Sequence, residues 1–152
     1  RKTAILFEAS TKIGAILAYK EYIEALGSFG LHFGIAYQLR NDYLDYFGDS
    51  SSTGKNAIED LYEGKATLPV IHSLSNADGE DERFLRNAYK DTSNIDGQAI
   101  IKILEKYKSN QYIKEKIKNE TDLAISSLKQ LGSSRYKEEL ISLAEFCTTR
   151  VS

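Results

Sequence analysis

At 152 residues, with 41% apolar and 28% charged side chains, the chain is long enough for one domain with its own core and has an ordinary globular balance. A net charge of −2 argues against a nucleic-acid partner, yet leaves phosphorylated ligands open, because a few placed lysines and metal ions override a mildly acidic average. No apolar run reaches the roughly 18 residues of a membrane span, no signal-peptide pattern opens the chain, and the single cysteine, Cys147, excludes an internal disulfide, so a soluble, cytoplasmic protein is expected.

The one proline, Pro69, favours long uninterrupted helices. Ile5, Leu6, Ala9, Ile13, Ile16 and Leu17 recur at helical spacing and predict a helix over 2–20 with that face buried. The sequence holds no methionine and Arg1-Lys2-Thr3 already reads as helix, so a piece of a longer protein is expected. A second, longer helix is predicted over 21–47 from Ile23, Leu26, Phe33, Tyr37 and Leu44. Gly27, Gly30 and Gly34 lie inside it. Each costs roughly 1 kcal/mol of helix stability against alanine, a cost usually offset by a close helix–helix approach or by room for a ligand.

Gly48–Thr53 is a polar break. A short helix is predicted around 56–62, ended by Gly64, and another is opened by Thr67-Leu68-Pro69 and carries Val70, Ile71 and Leu74. A loop is predicted over 75–81, then a helix over 81–91 with Phe84, Leu85 and Ala88. Three more follow at about 96–108, with Ile100, Ile101, Leu104 and Tyr107, at about 110–131, with Ile113, Ile117, Ala124, Leu128 and Leu131, and at about 134–150, with Leu140, Leu143, Ala144 and Cys147. No strand candidate emerges, and the predicted class is all-α.

The informative segment is Tyr37-Gln38-Leu39-Arg40-Asn41-Asp42-Tyr43-Leu44-Asp45. Gln38, Asn41, Asp42 and Asp45 fall at i, i+3, i+4 and i+7 and share one helix face, with Gly34 one turn earlier. Two carboxylates one turn apart repel by about 4 kcal/mol at 4 Å and an effective dielectric near 20, unless water or a cation screens them. Clustered hard oxygen ligands suit magnesium, which keeps several waters and is often shared with substrate phosphates. The plainer alternative is that the stripe is simply the wet face of an amphipathic helix. Gly54-Lys55 and Gly64-Lys65 follow and flank Asp60. Lysines on such turns are placed to meet phosphate as point charges, although most lysines are only solvated. Lys2 and Thr3 stand equally open to a surface role.

In order, the elements are Lys2-Thr3-Ala4-x-Leu6-Phe7, Tyr37-Gln38-x-x-Asn41-Asp42-x-x-Asp45, Gly54-Lys55 and Glu63-Gly64-Lys65-x-Thr67-Leu68-Pro69. Together they resemble the C-terminal half of the trans-isoprenyl diphosphate synthases, whose second aspartate-rich motif, Asp-Asp-x-x-Asp, lies between a Lys-Thr pair and two Gly-Lys elements. Leu6-Phe7-Glu8-Ala9 and Thr67-Leu68-Pro69-Val70-Ile71-His72 are most similar to the octaprenyl branch. The resemblance implies one helical bundle of the isoprenoid synthase type over 1–152, a homodimer, and magnesium-dependent head-to-tail condensation of isopentenyl diphosphate with an allylic prenyl diphosphate. It implies metal binding by Asn41, Asp42 and Asp45, and diphosphate contacts from Lys2, Thr3, Gln38, Lys55 and Lys65.

Two departures stand out. Asn41 replaces the leading aspartate and supplies an oxygen without charge. The family's first aspartate-rich motif is absent from the sequence, so the chain on its own is expected to be inactive. Competing readings are a class I terpene cyclase, with Asn41, Asp45 and Asp49 at that family's metal spacing, a non-catalytic subunit, and a helical bundle with no ligand. His32 and His72 lack a paired ligand at metal spacing and read as packing or surface residues. Cys147 reads as core.

Overall fold

A computed structural model describes residues 2–48, 58–90, 95–149 and 151, and every regular element among them is helical. The helices are α1 (Lys2–Ala18), α2 (Ile23–Phe47), α3 (Glu59–Tyr62), α4 (Leu68–Asn76), α5 (Gly79–Lys90), α6 (Gly97–Lys106), α7 (Ser109–Ser127) and α8 (Arg135–Thr149). Short 3-10 turns at Lys20–Tyr22 and Leu128–Gln130 lead into α2 and follow α7. The chain divides into two compact units, one of residues 1–40 with 115–152, the other of residues 41–114.

In the first unit, α1 and α2 meet along a seam of small residues. A Cβ placed on Gly30 would lie 2.5 Å from the Phe7 carbonyl oxygen, and one on Gly34 would lie 2.6 Å from Ala4 Cα. Only glycine lets the two backbones come this close. Ala4 is buried at this seam, Ala15 is buried farther along α1, and Phe7 stacks edge-on against Phe33 with ring centroids 4.8 Å apart. This corrects the predicted face of α1. Ile5, Leu6, Ile13, Ile16 and Leu17 are exposed, Leu17 by 82%. The apolar periodicity of α1 is real, but the face that meets the α2 glycines is the one carrying Ala4, Phe7 and Thr11. The Ile5, Leu6, Ile13, Ile16 and Leu17 side chains are turned outward.

The same unit buries Phe29, Ala36, Ile117, Ala124, Leu128, Ala144 and Cys147. Burial pushes the Cys147 thiol up to about 11, which makes it a core residue and not a nucleophile. His32 Nδ1 lies 2.7 Å from Glu120 Oε2. Arg40 is buried, with its guanidinium 4.5 Å from the centre of the Phe146 ring.

The second unit is built on Tyr46, Ile58, Leu61, Val70, Leu85, Ala88, Ile100 and Leu104, with Tyr89 among the half-buried side chains packed against them. Asp96 caps α6, its carboxylate accepting the Ala99 N–H at 3.0 Å. Pro69 sits in the first turn of α4, where its missing N–H has no helical partner to lose. The predicted 75–81 loop shrinks to Ala77 and Asp78, because α4 runs through Asn76 and α5 begins at Gly79. Phe84, Ile71 and, in the first unit, Leu143 are exposed, not core.

Candidate functional site

The α2 helix runs unbroken through the polar stripe, so Gln38, Asn41, Asp42 and Asp45 share a ridge by helical period alone. None of the four is exposed, and Asp42 keeps only 9% of its surface. Gln38, Asn41 and Asp45 keep partial exposure, so the ridge is drier than a fully solvated helix face.

At the start of the chain, Thr3 Oγ1 donates to Gln38 Oε1 at 3.2 Å. Two of the predicted contact residues are thereby brought together across the α1–α2 seam. With its oxygen engaged by Thr3, the Gln38 amide turns its NH2 end away from that hydroxyl. Lys2 is exposed at the beginning of α1. Lys55, with Gly54 and the Asp49 of the cyclase reading, lies outside the described residues.

The second unit gathers Asp45, Asp60 and Lys65. The chain returns at Ile58 with φ 63° and ψ 28°, a left-handed conformation that is costly for a β-branched residue, about 1–3 kcal/mol. It is held there by its buried side chain and by its N–H, which donates to the Asp45 carbonyl at 2.8 Å. Two residues later the Asp60 N–H donates to Asp45 Oδ2 at 3.2 Å. Asp45 therefore anchors α3 through both its backbone and its carboxylate.

Gly64, at φ 73°, ends that short helix. Lys65 follows, its N–H bonded to the Asp60 carbonyl at 2.8 Å. The Lys65 ammonium sits 2.8 Å from Asp60 Oδ1 and 2.5 Å from Glu63 Oε2. Hydrogen bonding to Asp60, and then to Glu63, holds the ammonium above the usual lysine range, so it is charged at any working pH. It is also more than half exposed, and a more highly charged anion has access to it.

Asn41, Asp42 and Asp45 offer one amide and two carboxylate oxygens, and no group of three His, Cys, Asp or Glu side chains that could hold a metal ion occurs among the described residues. A donor set this small does not enclose an ion. It does fit magnesium, a hard cation that takes one or two carboxylates and completes its shell with water and phosphate oxygens.

The partners of Lys65 were not legible beforehand. Asp60 lies five residues before it, off the i, i+4 spacing that marks helical ion pairs, and Tyr89, whose hydroxyl donates to the Lys65 carbonyl, lies twenty-four residues beyond it. Arg40, one residue before Asn41, is buried, which its charge does not announce in the sequence.

The profile of the polyprenyl synthetase family matches residues 1–107. The chain belongs to that family. The polyprenyl synthetase match takes in every candidate site residue, from Lys2 to Lys65. Among curated relatives, the chain is 36% identical to the all-trans-nonaprenyl-diphosphate synthase (geranyl-diphosphate specific) of Rhodobacter capsulatus, covering 99% of this chain and 46% of that protein. It is 34% identical to the octaprenyl diphosphate synthase of Haemophilus influenzae, covering 98% and 46%. Among solved structures, polyprenyl synthase from Caulobacter crescentus, complexed with calcium and isoprenyl diphosphate, superposes with a TM-score of 0.89 at 29% identity, over 99% of this chain and 47% of that one. Geranylgeranyl pyrophosphate synthetase from Pyrococcus horikoshii gives 0.88 at 37% identity, over 98% and 46%. The chain thus spans about half the length of the polyprenyl synthetase relatives it matches. Its all-α class agrees with the family's fold.

Proposed function

We propose that this chain supplies the C-terminal half of a prenyltransferase site that joins isopentenyl diphosphate head-to-tail to an allylic prenyl diphosphate. The observation that carries the reading is the half-buried to buried ridge of Asn41, Asp42 and Asp45, tied through Asp60 to the Lys65 turn. The calcium and isoprenyl diphosphate named with the Caulobacter crescentus relative support a divalent ion and a diphosphate as the ligand pair.

In this reading Asn41, Asp42 and Asp45 hold magnesium, which when bound neutralises the leaving diphosphate. Gln38, oriented by Thr3, presents amide donors to phosphate oxygen. Lys2, Lys55 and Lys65 supply point charges that bind the allylic diphosphate. Lys65 is held meanwhile by Asp60 and Glu63, and a diphosphate must compete with those carboxylates for it. The greasy faces of the helices hold the growing tail. A homodimer in the cytoplasm belongs to the same proposal; no described helix is long and apolar enough to cross a membrane. Relatives of both octaprenyl and nonaprenyl specificity support a long-chain product, of which the octaprenyl is the one proposed.

The test is radiolabelled isopentenyl diphosphate with farnesyl diphosphate and magnesium. The protein expressed from its full reading frame elongates the chain, and residues 1–152 alone give no product. Product from 1–152 alone refutes the half-site reading, and released hydrocarbon in place of longer diphosphates refutes the synthase reading.

Asn41 favours a second reading, a subunit whose own metal site has decayed. Asn41→Asp separates the two. A large gain in turnover marks a decayed site, whereas unchanged turnover means that the amide serves.

A further inference from the structure

The turn that carries Lys65 is fixed by groups outside it. The lysine's N–H donates to the Asp60 carbonyl at 2.8 Å, and its carbonyl accepts the Tyr89 hydroxyl at 3.0 Å. Both backbone hydrogen-bonding groups of Lys65 are therefore engaged. Two residues on, Thr67 Oγ1 donates to the Tyr46 hydroxyl at 3.0 Å, closing the turn from its other end.

Tyr89 reaches this turn from α5. Its ring packs against the core cluster that includes Leu61, Leu85 and Ala88. The core fixes the ring, and the hydroxyl makes its bond at the surface. Burial, with Asp60 nearby, pushes the phenol up to about 12, so it remains a protonated donor across the working pH range.

The bond goes to the carbonyl of the lysine itself. A lysine side chain is a flexible four-carbon stem, and where its ammonium meets an anion depends first on where its Cα is held. We propose that Tyr89 is a positioning residue for Lys65, fixing that lysine's backbone so that its ammonium meets the substrate diphosphate. The proposal rests on the diphosphate-binding reading of Lys65 given above.

Tyr89→Phe keeps the ring and its packing and removes only the hydroxyl. In the protein expressed from its full reading frame, KM for the allylic diphosphate rises about 2- to 12-fold, the loss of one neutral hydrogen bond, while kcat and the magnesium half-saturation change less than about twofold. Lys65→Ala raises the same KM on its own, and adding Tyr89→Phe to it raises KM no further, because the hydroxyl acts through that side chain. A hydroxyl that served only the fold would lower the melting temperature and add its full effect in the Lys65→Ala background. That outcome, or an unchanged KM in Tyr89→Phe alone, overturns the proposal and leaves the role of Lys65 standing. An unchanged KM in Lys65→Ala, or no turnover by the unsubstituted protein, sinks the diphosphate reading and this proposal with it.

Discussion

Substituting alanine at two glycines of the first unit should move stability in opposite directions. Gly34→Ala puts a Cβ 2.6 Å from Ala4 Cα, 3.1 Å from Phe7 Cδ2 and 3.3 Å from Ala4 Cβ. Carbon atoms settle at about 3.5–4.0 Å, so α1 must back away by roughly 1 Å. Overpacking of this kind costs about 1–3 kcal/mol, against a helix-propensity gain of about 1 kcal/mol. Ala4 is the neighbour of Thr3, so the retreat also stretches the 3.2 Å bond from Thr3 to Gln38, worth about 0.5–1.5 kcal/mol. The expected net loss is about 1–3 kcal/mol.

Gly14→Ala is the control. Gly14 is exposed inside α1, and a Cβ there meets nothing within 4 Å. Only the propensity gain remains, about 0.5–1 kcal/mol of stabilisation. At this chain length each kcal/mol shifts the melting temperature by about 2–4 °C, so urea and thermal unfolding separate the two variants cleanly. If Gly34→Ala is as stabilising as Gly14→Ala, the backbone approach at this seam has been misread.

Asp45→Asn keeps an acceptor for the Asp60 N–H but loses the charge proposed for metal, so turnover of the protein expressed from its full reading frame should fall about 10- to 150-fold, the loss of one charged contact, with little change in melting temperature, whereas Asp45→Ala should lose both. Lys106, then Tyr107, holds the Asp81 carboxyl below the usual carboxylate range. Because its folded pKa is depressed, its stabilisation is complete above the unfolded value of 3.8 and is lost as pH falls through the folded pKa; Asp81→Asn should flatten that part of an acid-unfolding profile. The outward apolar face of α1 should drive self-association of residues 1–152. Sedimentation velocity should show a shift toward monomer on combining Ile13→Lys with Leu17→Lys, and an unsubstituted chain that is already monomeric would contradict this.

Helix identity was readable from the chain because it depends on local period and local punctuation. The 3.6-residue recurrence in α6 and α7, Gly64 after α3 and Pro69 at the head of α4 all act within a turn or two of themselves. The Asn41-Asp42-x-x-Asp45 ridge was equally readable, since a continuous α2 places those residues on one face whatever surrounds them. The α2 glycines left a close approach and room for a ligand both open, and the structure shows the close approach at Gly30 and Gly34. Which face of α1 would meet them was not readable. Amphipathic pattern ranks side chains by affinity for water, but the seam was set by backbone approach at Gly30 and Gly34, and the α1 face that meets them carries Ala4, Phe7 and Thr11, not Leu6 and Leu17.

The partners of Lys65 belong to the same class. Glu63 and Asp60 come from the turn geometry of α3, and Tyr89 arrives only because the core of its unit packs α5 where a phenol reaches a backbone carbonyl. Sequence alone determined which residues carry oxygen and positive charge and which of them lie on a common helix. Tertiary structure decided which lysine is held, by what, and how much water reaches it. Those depend on distances between residues far apart in the chain, and no local period encodes them.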